Sequence, residues 1–181
     1  MIEIHGDLKE LLCLATEGNR QSQRALYQKY SPKLLSICRQ YVNDDFIAED
    51  LLVTSFMKIF SNLSSFEQKG VFEAWIRRIT VNQCLSYLRA NKKIKFTEPD
   101  DMLVADQITD NHLMTNDIQN MIDRLPDGCK MVFNLYAVEG YKHQEIAAML
   151  DINESTSKSQ LSYARKLLQQ MIYQSNLVQH G

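Results

Sequence analysis

The chain has 181 residues, 45% of them hydrophobic and 23% charged, with only 6 Gly and 3 Pro. That balance excludes a wholly disordered, collagen-like or low-complexity chain and fits one soluble globular domain or two small ones. The formal net charge of -2 conceals blocks: residues 74–97 carry six basic and no acidic side chains, while residues 98–127 carry eight acidic and one basic. No apolar run reaches the ~20 residues of a membrane-spanning helix. Met1–Asp7 lacks the basic and apolar segments of a signal peptide. The expectation is a cytoplasmic protein with no membrane insertion.

Helical spacing runs along the chain, and strand or hairpin signals do not. Leu8, Leu11, Leu12 and Ala15 begin a helix that Gly18 should end. Ala25, Leu26 and Tyr30, then Leu34, Leu35, Cys38 and Val42, predict two more, the second opened by Pro32. Ile47, Leu51, Leu52, Phe56, Ile59, Phe60 and Leu63 form a longer apolar stripe. Phe72, Trp75, Ile76 and Ile79 form the next, and Val81, Cys84, Leu85 and Leu88 continue it in a shifted phase. That helix either bends or is buried on two sides.

The pattern lapses between Asn91 and Asn116, where Pro99 and several acids predict a linker. Some 25 residues could reach ~80 Å fully extended. Helical order resumes at Ile118, Met121, Ile122 and Leu125, with a turn expected at Pro126-Asp127-Gly128. Val132, Leu135 and Tyr136 follow, ended by Gly140. His143 to Leu150 predicts a short helix, Asp151 to Glu154 a tight connection, and Ser155 to Met171 a longer helix. Short helix, tight turn, longer helix is the helix-turn-helix layout. The fold class predicted is all-α: two small helical domains joined by a linker, the C-terminal one containing a helix-turn-helix.

Cys13, Cys38, Cys84 and Cys129 lie far apart, and no His pairs with a Cys or Glu at ligand spacing. Buried free thiols are expected, and neither a metal site nor a cofactor. No Gly-rich phosphate loop or nucleophile elbow appears, so no catalytic residue is assigned.

Two segments have the chemistry of nucleic-acid readers. On the helix that carries the stripe from Phe72 to Leu88, Arg78, Asn82, Arg89 and Lys93 share one face, suited to a phosphate backbone with Asn82 able to reach a base edge. Trp75 projects toward the same side, although a lone Trp in an apolar stripe is more often core. In the last helix Leu161, Ser157, Ala164 and Leu168 point inward. Thr156, Ser159, Tyr163 and Lys166 point outward from the end that enters a major groove. Lys158 and Arg165 flank that set and can take phosphates. His143 has a capping or phosphate role, and Glu145 a structural one in the turn.

The chain resembles the extracytoplasmic-function (ECF) sigma factors, the small two-domain initiation subunits of bacterial RNA polymerase. The likeness lies in Ala48-Glu49-Asp50-Leu51, Phe56-Met57-Lys58-Ile59-Phe60, Phe72-Glu73-Ala74-Trp75-Ile76-Arg77-Arg78-Ile79 with Asn82, and Leu88-Arg89. It continues in Leu125-Pro126, Glu139-Gly140, Glu145-Ile146-Ala147, Thr156 with Lys158-Ser159, and Ala164-Arg165. The resemblance implies a polymerase-binding and downstream-element domain over 1–93, an acidic linker over 94–116 and an upstream-element domain over 117–181.

It also implies roles for particular residues. Phe66, Gln68 and Lys69 lie in a loop that in the family captures an unstacked base of the melted strand; a solvent loop anchored by Phe66 is the other reading. Glu49, Asp50, Leu51, Val53 and Thr54 form the polymerase-docking surface, although Val53 and Thr54 stand where the family usually has Gln followed by Asp or Glu. Ser157 stands where an apolar residue is usual, weakening core packing slightly. Gln160 replaces a usual arginine among the upstream readers and should shift DNA preference. The implied partners are core RNA polymerase, promoter DNA as duplex and melted strand, and an anti-sigma factor, with no small-molecule substrate. The alternative is a stand-alone helix-turn-helix regulator of duplex DNA. A small helical enzyme is a third reading, which the missing catalytic motifs oppose.

Overall fold

In a computed structural model of the chain, residues 8–42, 44–66, 71–91, 96 and 118–179 are described, and among them there are helices and no strands. The helices are α1 (Leu8–Thr16), α2 (Arg20–Tyr41), α3 (Asp45–Ser61), α4 (Phe72–Ala90), α5 (Ile118–Asp123), α6 (Asp127–Phe133), α7 (His143–Leu150) and α8 (Glu154–Gln179). A 3₁₀ turn (Leu63–Ser65) follows α3, and a π-helical segment (Asn134–Val138) extends α6. The chain divides into two compact units between Leu88 and Arg89. The predicted linker falls, apart from Phe96, outside the described residues.

In the first unit, Gly18 ends α1 at φ +86°, a backbone conformation that favours glycine. Asn19 caps α2, its side chain accepting from the backbone N–H groups of Gln21 and Ser22 at 3.0 Å. The expected break at Pro32 does not occur: residues 20–41 form one helix with the proline inside it. Pro32 cannot donate to the carbonyl of Gln28, but both residues are exposed, so water can serve that carbonyl. Leu26, Tyr30, Leu34, Ile37 and Cys38 hold both halves of the helix in the core.

Asp44 caps α3 by accepting from Phe46 and Ile47. The phase shift expected in 72–88 is resolved in one unbroken helix, α4. Thr80 is fully buried between Ile76 and Val81 and donates to the Ile76 carbonyl at 3.0 Å. A hydroxyl satisfied within its own helix joins the two apolar stretches into one broad buried face. Cys38, Cys84 and Cys129 are buried, but Cys13 is exposed, against expectation.

In the second unit, Pro126 stands at the N-cap of α6 instead of in a free turn, and Gly128 is buried in the first turn. Gly140 follows the π-helical segment at φ +77°, and Asp151 ends α7 at φ +56°, allowing the tight connection into α8. Met121, Ile122, Leu125, Cys129, Ala164, Leu168 and Met171 form a core that joins α5, α6 and α8. Ile146 and Leu150 bury the inner face of α7.

Candidate nucleic-acid interface

The first unit presents a cleft of about 310 Å³ between α3, the 3₁₀ turn and α4, with Lys58, Asn62, Trp75, Asn82, Gln83 and Ser86 among its walls. Its aromatic wall is braced from behind. The Trp75 ring stacks on Phe72 at 5.8 Å, and Phe66 packs on both rings at 5.3 and 5.4 Å. Tyr30 meets Phe72 edge-on at 5.4 Å. Phe66 therefore anchors the start of its loop to α4, and Trp75 is half core and half cleft wall.

The polar side of the cleft is oriented as well. Lys58 Nζ donates to Gln83 Oε1 at 2.7 Å, and Asn62 Nδ2 donates to the Lys58 carbonyl at 2.8 Å. An aromatic face beside an ammonium and two amides can stack a base and meet the acceptors on its edge. Arg78, Asn82 and Arg89 are exposed on α4, and Arg77 is partly buried. Gln68, Lys69 and Lys93 lie outside the described residues. Lys58, Asn62 and Gln83 carry no signal of the cleft in the sequence. They reach the cleft from elements distant in sequence, so helical spacing within one segment cannot reveal them.

On α3 the expected docking residues separate. Glu49, Asp50, Val53 and Thr54 are exposed, and Thr54 Oγ1 donates to the Asp50 carbonyl at 2.7 Å. Leu51 is a correction: it is 6% exposed and belongs to the core, because it lies on the same buried stripe as Ala48, Leu52 and Phe56. Phe46 and Met57 extend the exposed stripe of Val53 along the helix.

The second unit departs further from expectation. On α8 the buried arc holds Ser157, Gln160, Leu161, Ala164, Leu168 and Met171, so its centre is turned by about 60° from Leu161 toward Ala164. Two reader assignments change with that turn, Gln160 and Tyr163, while Ser159 stays on the outer side. Gln160 is 1% exposed, its Oε1 accepting from the Cys129 thiol at 2.9 Å, and does not face outward. Tyr163 is partly buried against the core instead of projecting from it. Ser159 is partly buried and donates to the Thr156 carbonyl at 3.0 Å. The outer face keeps Lys158, Ser162, Arg165 and Lys166 exposed, with Thr156 and Ser159 half-buried beside them. Ser162 carries no reader signal in the sequence.

Lys158 pairs with Glu154 at 2.6 Å, one turn earlier on the same helix. That hydrogen bond and charge hold the Glu154 carboxyl below its usual range. His143 is half-buried, and its ring is engaged within the protein. It stacks on Tyr136 at 4.6 Å, and Nδ1 lies 2.9 Å from the Ser157 hydroxyl. The Arg165 guanidinium lies over the same Tyr136 ring at 5.6 Å. Burial, then the Lys158 and Arg165 charges, hold the imidazole below its ordinary value against the opposing Glu154 carboxylate. Glu145 takes the structural role expected of it, accepting from the Lys142 backbone N–H at 2.8 Å to cap α7.

Comparison with known proteins finds one family in both halves. The Sigma-70 region 2 family model matches residues 26–94, and the Sigma-70 region 4 model matches residues 115–168. The ECF RNA polymerase sigma-E factor of Haemophilus influenzae is 25% identical over 171 residues, 86% of this chain and 90% of the relative. Its namesake in Escherichia coli K12 is 24% identical over 167 residues, 84% of this chain and 87% of the relative.

Among solved structures, the Bartonella quintana sigma factor RpoE, in complex with the anti-sigma factor NepR, shares the fold at TM-score 0.51 and 21% identity, covering 83% of this chain and 96% of that one. CnrH in complex with the cytosolic domain of CnrY shares it at TM-score 0.50 and 20% identity, covering 90% and 94%. Region 2 followed by region 4, over nearly the whole length of relatives that carry one name, makes this chain an ECF sigma factor, a transcription initiation factor that directs RNA polymerase to promoters.

Proposed function

We propose that residues 1–93 bind core RNA polymerase and the downstream promoter element, that 94–116 link the two readers, and that 117–181 bind the upstream element. Within residues 1–93, Arg78 and Arg89 take phosphates, Asn82 meets a base edge and the α3–α4 cleft receives an unstacked base of the melted strand. Phe66, Gln68, Lys69 and Lys93 complete this reader. The exposed side of α3, with Glu49, Asp50, Val53 and Thr54, docks the polymerase. In the second unit, the outer face of α8 enters the major groove, led by Thr156, Lys158, Arg165 and Lys166.

The observation that carries this reading is the cleft. It sets the Trp75 ring, the Lys58 ammonium and the three amides of Asn62, Asn82 and Gln83 around a space of about 310 Å³, beside the exposed basic side chains of α4. The protein performs no reaction of its own, acts in the cytoplasm with the polymerase, and admits an anti-sigma factor as a further partner. No helix among the described residues is long and apolar enough to cross a membrane.

Strand capture is testable in the reconstituted holoenzyme. 2-Aminopurine is placed in turn at each position of the melted strand of a promoter that the holoenzyme transcribes. One position should brighten on open-complex formation, and the brightening should be lost in Trp75→Ala and reduced in Lys58→Ala. Brightening that survives both substitutions would remove the cleft from the mechanism.

A further inference from the structure

Two polar residues on the inner face of α8, Ser157 and Gln160, are both buried and both have a polar partner on another element. Ser157 is fully buried and meets His143 on α7. Gln160 is 1% exposed and meets Cys129 on α6, itself fully buried. The two positions are three residues apart, neighbours on the inner face of one helix. They reach toward different helices.

An apolar face packs without direction, so a helix seated only on leucines could turn by part of a residue at little cost. A hydrogen bond imposes a distance and an angle. Two such bonds from adjacent positions to different helices define the rotation of α8 about its own axis. Turning it outward by one residue would break both and leave buried polar atoms unpaired. The same rotation decides which side chains face away from the core, namely Lys158, Ser162, Arg165 and Lys166.

We propose that Cys129–Gln160 and His143–Ser157 are positioning pairs that set the rotation of α8 and thereby the upstream sequence the protein selects, with Gln160 acting from inside the domain and not on a base. This rests on reading α8 as the upstream-element helix. Cys129 makes the proposal decidable, because a fully buried thiol on another helix cannot touch DNA.

The experiment uses holoenzyme reconstituted from core polymerase and the full chain, selecting from a promoter library with a randomised upstream element. Parallel thermal melts confirm that each variant is folded. Cys129→Ala and Gln160→Met should each alter or broaden the selected sequence. Each should also weaken binding to the wild-type choice by about tenfold, the size of one lost base contact. The double variant should be no worse than either single one. Cys129→Ser keeps a donor and should restore the wild-type selection. Ser157→Ala should change selection as well.

The result that overturns the proposal is Gln160→Met relaxing one base position while Cys129→Ala and Ser157→Ala leave selection unchanged; Gln160 would then read DNA directly. If the wild type selects no upstream sequence, and Lys158→Ala and Arg165→Ala change nothing, the reading of α8 fails and the positioning pairs fall with it.

Discussion

The two units bury their polar groups in different ways. In the first unit the deeply buried hydroxyls stay local: Ser55 donates to the Leu51 carbonyl at 2.6 Å and Thr80 to the Ile76 carbonyl at 3.0 Å, each one turn back in its own helix. In the second unit buried polar groups reach across. Ser157 meets His143, Cys129 meets Gln160, and Lys130, with its side chain 9% exposed, pairs with Asp123 at 2.7 Å. A local bond adds nothing to how helices sit on one another, so these two hydroxyls leave the seating of the first core to apolar packing and to the Cys38–Cys84 and Lys58–Gln83 contacts between helices. A bond between elements adds direction, which suits a helix whose rotation decides what it reads.

Breaking the cross-element bonds should therefore cost more than breaking the local ones. The largest loss is expected from Cys129→Ala. Burial pushes this thiol up to about 12, so it remains a neutral donor at working pH, and its removal takes that donor from the buried Gln160 Oε1. Urea unfolding should show the second unit weakened by about 2 kcal/mol.

Ser157→Ala should follow at about 1 kcal/mol and should also change the pH dependence. His143 binds its proton more weakly in the folded unit than in the unfolded chain. Its contribution is therefore complete above about pH 6.5, the unfolded value, and is lost as pH falls through the lower folded value. Urea midpoints should fall over that range in the wild type and fall less in His143→Asn. A slope unchanged by that substitution would place the titrating group elsewhere.

Thr80→Val is the control on the other side of the comparison. It removes only an intrahelical bond and keeps the shape, so the expected change is within about 0.5 kcal/mol. A loss as large as that of Cys129→Ala would erase the distinction between the units. The smallest effect is on function: Lys158→Ala should weaken DNA binding across sequences and lower the slope of log affinity against log salt by about 1. Its pairing with Glu154 must yield to a phosphate, which reduces the change further.

The same difference governs what could be read in the sequence. Where a buried face is apolar, its spacing shows it: the stripe of α3 and the limits of α7 were legible, and so were Gly18 and Gly140 as terminators. Pro32 misled because its cost depends on whether the freed carbonyl meets water, which is a property of the fold. On α8, Tyr163 reads as outward by helical angle, and Gln160 joins the readers only through the family resemblance. Only Cys129 on α6 and the core beneath Tyr163 turn them inward. Leu51 came from a motif, and a motif does not separate the side chains that hold a helix down from those it presents. The cleft joins α3 to α4 and was legible only through Asn82 and Trp75.

The most direct test of a two-reader initiation factor is run-off transcription from genomic fragments with purified core polymerase, with and without this protein. The account predicts new start sites that require the protein and share two upstream elements, with Trp75→Ala impairing melting and Gln160→Met altering the choice among upstream sequences. Duplex binding that proceeds equally well without core polymerase, with no new start sites when core is added, would contradict it.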